Sequence, residues 1–253
     1  MVSTPPRTNA GLALDARGLR IVRVVDGRAP RILLDVDRLA IPAQAHAAIV
    51  GPAGSGKSRL LRVLAGSERP ARGIVQWGAI DIAAMEPLAA ARWQRETVGV
   101  VGARAPTLRR LSARQRLMLP ARLAAMRVPR ALRERANALL EEVGVASAAH
   151  VAALGPADAR CVEIARALLR SPAIVVADEP TRDLDESEAA RIESAMRRRC
   201  AAIGATLVVT TRDPALASRF DLRYDVQRLT LRRASTQPQL SREAGMLDAR
   251  AGY

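Results

Sequence analysis

Apolar and polar residues alternate with changing period along this chain, and the changes divide it into elements. From Gly18 to Ile41 the pattern is strand-like, in two runs, Leu19–Val25 and Arg31–Leu39, with Asp26–Gly27 as the turn between them. His46–Val50 is a short apolar strand that runs into a glycine-rich loop. Lys57–Ala65 has helical spacing and stops at Gly66. Gly73–Trp77 and Ala79–Ile82 predict short strands and Val98–Val101 another, with weak order expected over Gly102–Arg110. Residues 111–153 differ in texture: Ala, Leu, Arg and Glu dominate and apolar positions recur at helical spacing, which predicts a helical insertion. Further on, helices are expected over Asp158–Arg170 and Asp185–Arg199, and buried strands over Ala173–Ala177 and Thr206–Thr211. Strands alternating with helices predict an α/β fold with a largely parallel sheet and helices on both faces. There is no internal repeat.

Composition adds bounds. The chain has 253 residues, enough for one large domain or one domain with a small inserted subdomain. No apolar run approaches the roughly 18 residues of a membrane-spanning helix. Met1–Gly11 is polar and lacks the apolar stretch of a secretion signal, so a cytoplasmic location is expected. Cys161 and Cys200 are far apart and not in a metal spacing, which predicts buried reduced thiols. The formal charge of +15 permits nucleic acid or an anionic membrane surface as a partner. The arginines are spread along the chain and aromatics make up only 2%, which argues against nucleic acid. Lys57 is the only lysine; every other basic residue apart from the two histidines is arginine. A planar guanidinium does not replace a compact ammonium that must slot between phosphate oxygens.

Two motifs carry chemistry. Gly51, Pro52, Ala53, Gly54, Ser55, Gly56, Lys57 and Ser58 match G-x-x-x-x-G-K-[ST] in full, after a strand and at the opening of a helix. The glycines let backbone N–H groups wrap phosphates, and the helix aims its positive end at them. Lys57 is expected to reach the terminal phosphates and Ser58 to give its hydroxyl to Mg²⁺, with Arg59 completing the nucleotide-binding set. The second motif is Ile174–Glu179, an apolar strand ending in two acids. It predicts Asp178 at the carboxyl edge of the sheet as a magnesium-organising carboxylate, and Glu179 as the catalytic residue that polarises the attacking water.

The order of these motifs resembles that of the ABC transporter ATPases. Leu117–Leu123 (LMLPARL), Ile164–Leu168 (IARAL) and Ala177–Thr181 (ADEPT) are similar to phrases of the subfamily serving lipoprotein release, macrolide export and cell division. The resemblance implies a P-loop NTPase of the ABC type over residues 18–233, with N-terminal antiparallel strands and a helical subdomain at about 104–156. A leader at 1–17 and a mobile tail at 234–253 are expected on either side. It implies ATP and Mg²⁺ as cofactors, a membrane-spanning transporter subunit as partner, and a second nucleotide-binding domain, as homo- or heterodimer, with ATP sandwiched between one P-loop and the partner's signature motif. The expected place of the chain is the inner face of the cell membrane. Asp183–Asp185 falls where the family has its D-loop.

Several family positions are altered. The signature Leu-Ser-Gly-Gly-Gln should precede the Ile164–Leu168 helix, where the chain reads Leu154-Gly155-Pro156-Ala157-Asp158, and Pro156 has no N–H to offer a phosphate. Leu111–Gln115 imitates the signature but lies far upstream; Ser112 is read there as a helix cap. Ala103 stands for the Q-loop glutamine and Arg212 for the switch histidine. No aromatic precedes Trp77, so Val24 or Val25 takes the place of the adenine-stacking ring. Phosphate and magnesium groups survive, while groups that position water or act across the dimer are changed. The expectation is an ATPase that binds ATP–Mg²⁺ and hydrolyses it slowly. The rivals are a regulatory cassette without turnover and a soluble ABC-type ATPase acting on nucleic acid.

Overall fold

A computed structural model describes residues 10–23, 29–102, 110–124, 127–227 and 229–234. Among them are ten strands, β1 (Leu14–Arg23), β2 (Arg31–Ile41), β3 (His46–Val50), β4 (Arg72–Trp77), β5 (Ile80–Asp81), β6 (Val98–Val101), β7 (Ile174–Asp178), β8 (Thr206–Thr211), β9 (Leu222–Gln227) and β10 (Thr230–Arg233). The helices are α1 (Lys57–Leu64), α2 (Pro87–Thr97), α3 (Ala113–Ala124), α4 (Arg130–Glu142), α5 (Pro156–Leu168), α6 (Glu186–Ala202) and the one-turn α7 (Pro214–Ala217).

The strands form one sheet in the order β5-β4-β1-β2-β10-β9-β3-β8-β7-β6. Pairings from β6 through β7, β8 and β3 to β9 are all parallel. β1 pairs antiparallel with β2 and β4, and β4 with β5, so an antiparallel wing flanks the parallel half.

β3, β7 and β8 are apolar on both sides because both sides are covered. Alternate residues separate cleanly. Ala48, Val50, Val175, Ala177, Leu207 and Val209 join a core with α3, α4, α5 and α6. Ala47, Ile49, Ile174, Val176 and Val208 join a second core with α1 and the antiparallel wing. The parallel strands therefore end at one edge, between the two cores, and the loops at that edge hold the polar groups described below.

The expected first boundary at residue 18 falls inside a strand. β1 begins at Leu14, which is 2% exposed, and Gly11 N–H donates to Gly204 O. The cause is a phase slip. Leu14 and Ala16 are buried on one alternation, Leu19 and Ile21 on the next, and Gly18 (φ +57°) takes up the extra residue with a register shift against β4. The expected turn at Asp26–Gly27 and the leader before residue 10 lie outside the described residues, as does the tail from residue 235. α2, β9 and β10 are elements that the sequence pattern did not predict.

Candidate functional site

β3 delivers the chain to the phosphate loop and α1 leaves it. Gly54 (φ +75°) and Gly56 (φ +91°) lie in left-handed backbone, and Gly56 is the N-cap of α1, so the loop turns back on itself only because both positions lack a Cβ. No acid occupies the first turn of α1, which leaves its positive end unopposed toward the loop.

Lys57 is 4% exposed. Its Nζ donates to Gly51 O at 2.6 Å and Pro52 O at 2.8 Å, with Ser55 Oγ at 3.5 Å. Burial pushes its pKa below the ordinary lysine value, and the nearby Glu179 carboxylate partly opposes this. The ammonium is thus parked on carbonyls at the lip of the loop. Ser58 Oγ donates to Asp178 Oδ1 at 2.9 Å, and Thr210 Oγ1 donates to the same oxygen at 2.6 Å. Asp178 ends β7 beside the start of α1, which explains how a residue 120 positions away meets Ser58.

Glu179 follows in a left-handed conformation (φ +46°), which is uncommon for a residue with a side chain. Thr210 O accepts from its backbone N–H at 3.0 Å. Its side chain is 11% exposed. Glu179 Oε1 accepts from Arg212 Nε at 3.0 Å and lies 3.8 Å from Lys57 Nζ. One carboxylate oxygen therefore sits between two cations.

Ala53 to Arg59, Glu179 and Arg212 line a cavity of about 370 Å³, together with Arg23, Leu33 and Arg62. Gly51 and Pro52 contribute to it through their carbonyls on Lys57. Arg59 reaches the cavity but is paired with Glu68, which also holds Arg62 at 3.1 Å. No aromatic is among the described residues that line it. Val24, Val25 and Ala103 lie outside the described residues. At the signature position Gly155 caps α5 and Pro156 is its first residue, so the helix opens without an N–H there; Asp158 in the first turn pairs with Arg191 at 3.3 Å. Ser112 and Gln115 form a reciprocal cap on α3, Gln115 N–H to Ser112 Oγ at 3.2 Å and Ser112 N–H to Gln115 Oε1 at 2.9 Å. That fixes Leu111–Gln115 as a helix start.

Two participants escaped the sequence reading. Thr210 orients Asp178, and its signal was its place at the polar end of an otherwise apolar strand. Arg212 belongs to no sequence motif; its ion pair with Glu179 exists because β7 and β8 are neighbours.

Residues 34–182 match a family model described as ABC transporter. The chain is 34% identical over 203 residues to the lipoprotein-releasing system ATP-binding protein LolD of Treponema pallidum (strain Nichols), covering 79% of this chain and 89% of that protein. It is 36% identical over 223 residues to the macrolide export ATP-binding/permease protein MacB of Rhodospirillum rubrum, covering 87% of this chain and 33% of that protein. Among solved structures, the ATP-binding cassette MJ0796, captured as a dimer in a post-hydrolysis state with ADP and Pi, superposes with a TM-score of 0.78 at 23% identity, over 87% of this chain and 97% of that one.

Proposed function

The chain belongs to the ABC transporter family, and from that premise we propose that it is the ATP-binding subunit of a transporter of the lipoprotein-releasing or macrolide-export type. It binds ATP with Mg²⁺ and hydrolyses it slowly to drive a membrane-spanning partner. The observation that carries the reading is the convergence of Lys57, Ser58 and Glu179 on one cavity at the head of α1, with Asp178 hydrogen-bonded to Ser58 behind it.

The residues divide the work. Backbone N–H groups of the loop and the head of α1 take the phosphates. Lys57 exchanges the Gly51 and Pro52 carbonyls for phosphate oxygens, a short movement for a flexible stem. Ser58 and Asp178 would hold a magnesium ion beside the phosphates; among the described residues no group of three or more histidine, cysteine, aspartate or glutamate side chains offers another site. When bound, the ion neutralises charge on the phosphates. Thr210 holds Asp178 in place. Glu179 orients and polarises the attacking water once its carboxylate turns from Arg212. ATP closes against a second cassette, and an opposing Pro156 leaves that face short of one N–H donor. No helix among the described residues is long and apolar enough to cross a membrane. In this reading the chain works at the inner face of the cell membrane, on its membrane-spanning partner.

The rival reading, a regulatory cassette without turnover, is favoured by one observation, the Arg212–Glu179 ion pair in the position of the water-polarising carboxylate. Equilibrium ATP binding and steady-state ATP turnover, measured beside Lys57→Ala, separate the two. Turnover that requires Lys57 and Glu179 supports the enzyme; binding without turnover above the Lys57→Ala background supports the regulator.

A further inference from the structure

The nucleotide cavity is walled by cations. Among the described residues Arg23, Lys57, Arg59, Arg62 and Arg212 line it, against one carboxylate, Glu179. Four of these cations are engaged. Glu68 holds Arg59 and Arg62, Glu179 holds Arg212, and Lys57 lies on the loop carbonyls. Arg23 differs. It is exposed at the end of β1, and its guanidinium makes no hydrogen bond or ion pair with any described residue. It shares the cavity wall with Leu33 of β2, the one large apolar side chain among the described lining residues. Leu33 is there because of a bulge. Ile21 faces Leu34 and Val22 faces Ile32, so Leu33 is the extra residue between them. A bulge of this kind re-aims a side chain. Leu33 Cβ lies 3.2 Å from the point that a Cβ on Gly56 would occupy, so it abuts the head of α1.

We propose that Arg23 selects the base of the bound nucleotide, and that it favours a 6-oxopurine, guanine above adenine. The proposal rests on the nucleotide-binding reading above and names the triphosphate that the same site prefers. The phosphates take the loop and the head of α1, which leaves the wall of Leu33 and Arg23 for the base. Leu33 offers the ring an apolar surface. The Arg23 guanidinium then meets the edge of the ring, and it carries only donors. Guanine presents O6 and N7, two acceptors spaced for a bidentate fork. Adenine presents N7 beside an N6 amino group, which is itself a donor and opposes the fork. The one carboxylate on the described wall, Glu179, is held by Arg212 beside Lys57, so it is at the phosphate end and does not receive the adenine amino group. An aromatic side chain would stack on any base alike, but none is among the described lining residues. Discrimination therefore falls to hydrogen bonds at the base edge.

The test is competitive calorimetric titration of the full chain with the Mg²⁺ complexes of GTP, ITP and ATP. ITP shares O6 and N7 with GTP and lacks the 2-amino group. The expected result is that GTP and ITP bind alike, each about fivefold or more tighter than ATP, the low end for a bidentate base contact because Arg23 is exposed. Arg23→Ala brings GTP and ATP to equal affinity. Arg23→Gln, whose amide pairs with adenine N6 and N7, reverses the order. Arg198→Gln on α6 leaves the preference as it is. The readout is a ratio of affinities on one sample, so a variant that folds only in part still reports it. Equal affinity of the unaltered chain for GTP and ATP overturns the proposal. So does a guanine preference that persists in both Arg23 variants, or a parallel loss of all three nucleotides in them, which marks a contact to phosphate. Absence of nucleotide binding by the unaltered chain, or binding undiminished in Lys57→Ala, instead overturns the nucleotide-binding reading.

Discussion

Arg212 donates through Nε to Glu179 at 3.0 Å, and the pair forms across the carboxyl ends of the adjacent parallel strands β7 and β8. A carboxylate engaged by a fixed guanidinium has fewer lone pairs free to accept from water. Arg212→His, which removes the fork and the permanent charge, is expected to raise ATP turnover about tenfold, while Glu179→Gln lowers it about a hundredfold or more. Steady-state turnover at saturating ATP decides the point. Equal rates for Arg212→His and the unaltered chain mean that the pair does not limit hydrolysis.

Lys57 is enclosed by backbone carbonyls at 2.6 and 2.8 Å, and a guanidinium does not fit where its ammonium lies. Lys57→Ala is expected to weaken ATP binding about ten- to a hundredfold, the range for losing charged hydrogen bonds. Lys57→Arg should not rescue it. Calorimetric titration of both variants checks this, and near-native affinity in Lys57→Arg would sink the geometric argument.

The Ser58–Asp178 contact predicts how the site uses magnesium. Chelation by EDTA should abolish turnover, and Ser58→Ala should raise the magnesium concentration needed for half-maximal rate about tenfold. Asp178→Asn keeps the shape but removes the charge and should be more severe. A magnesium dependence identical in all three proteins would remove both residues from the metal's surroundings.

Cys200 is fully buried, and burial pushes its thiol up to about 12; Cys161 is also raised by burial. Both thiols should stay unlabelled by a disulfide reagent in the native protein up to pH 9 and appear together on denaturation. The sign of the linkage follows. A thiol whose folded value is raised contributes stability that is complete below its unfolded value of 9.0 and is lost as pH rises toward 12. The unaltered chain should lose more stability from pH 8 to 10 than a Cys200→Ala variant does, and an identical pH dependence in the two proteins would contradict this.

What the sequence made legible was local. The phosphate loop is a contiguous pattern, and the bounds of β3, β6 and β8 follow from short apolar runs. α2 has little helical signature because only Ala90 and Trp93 face the core, while its one other large apolar residue, Leu88, is exposed. β9 does alternate, with Leu222, Tyr224 and Val226 buried, but its partner strand β3 lies far upstream and no turn chemistry connects them. The start of β1 is hidden in the sequence because Gly18 breaks the alternation that identifies a strand. The site divides the same way. Glycines, Lys57 and Ser58 are read from spacing, whereas Thr210 on Asp178 and Arg212 on Glu179 are contacts between strands, and only the sheet order brings them together.

The solitary Lys57 has a practical consequence. Apart from the α-amine, the chain offers one primary amine, and it is held against the carbonyls of the loop that receives phosphate. Amine-directed acylation or reductive methylation therefore interrogates a single address, and a mass increment at Lys57 reports directly on whether that address is vacant or filled. Every other cation on the surface is a guanidinium and silent to such reagents, so occupancy of the nucleotide site is readable by footprinting without any engineered label.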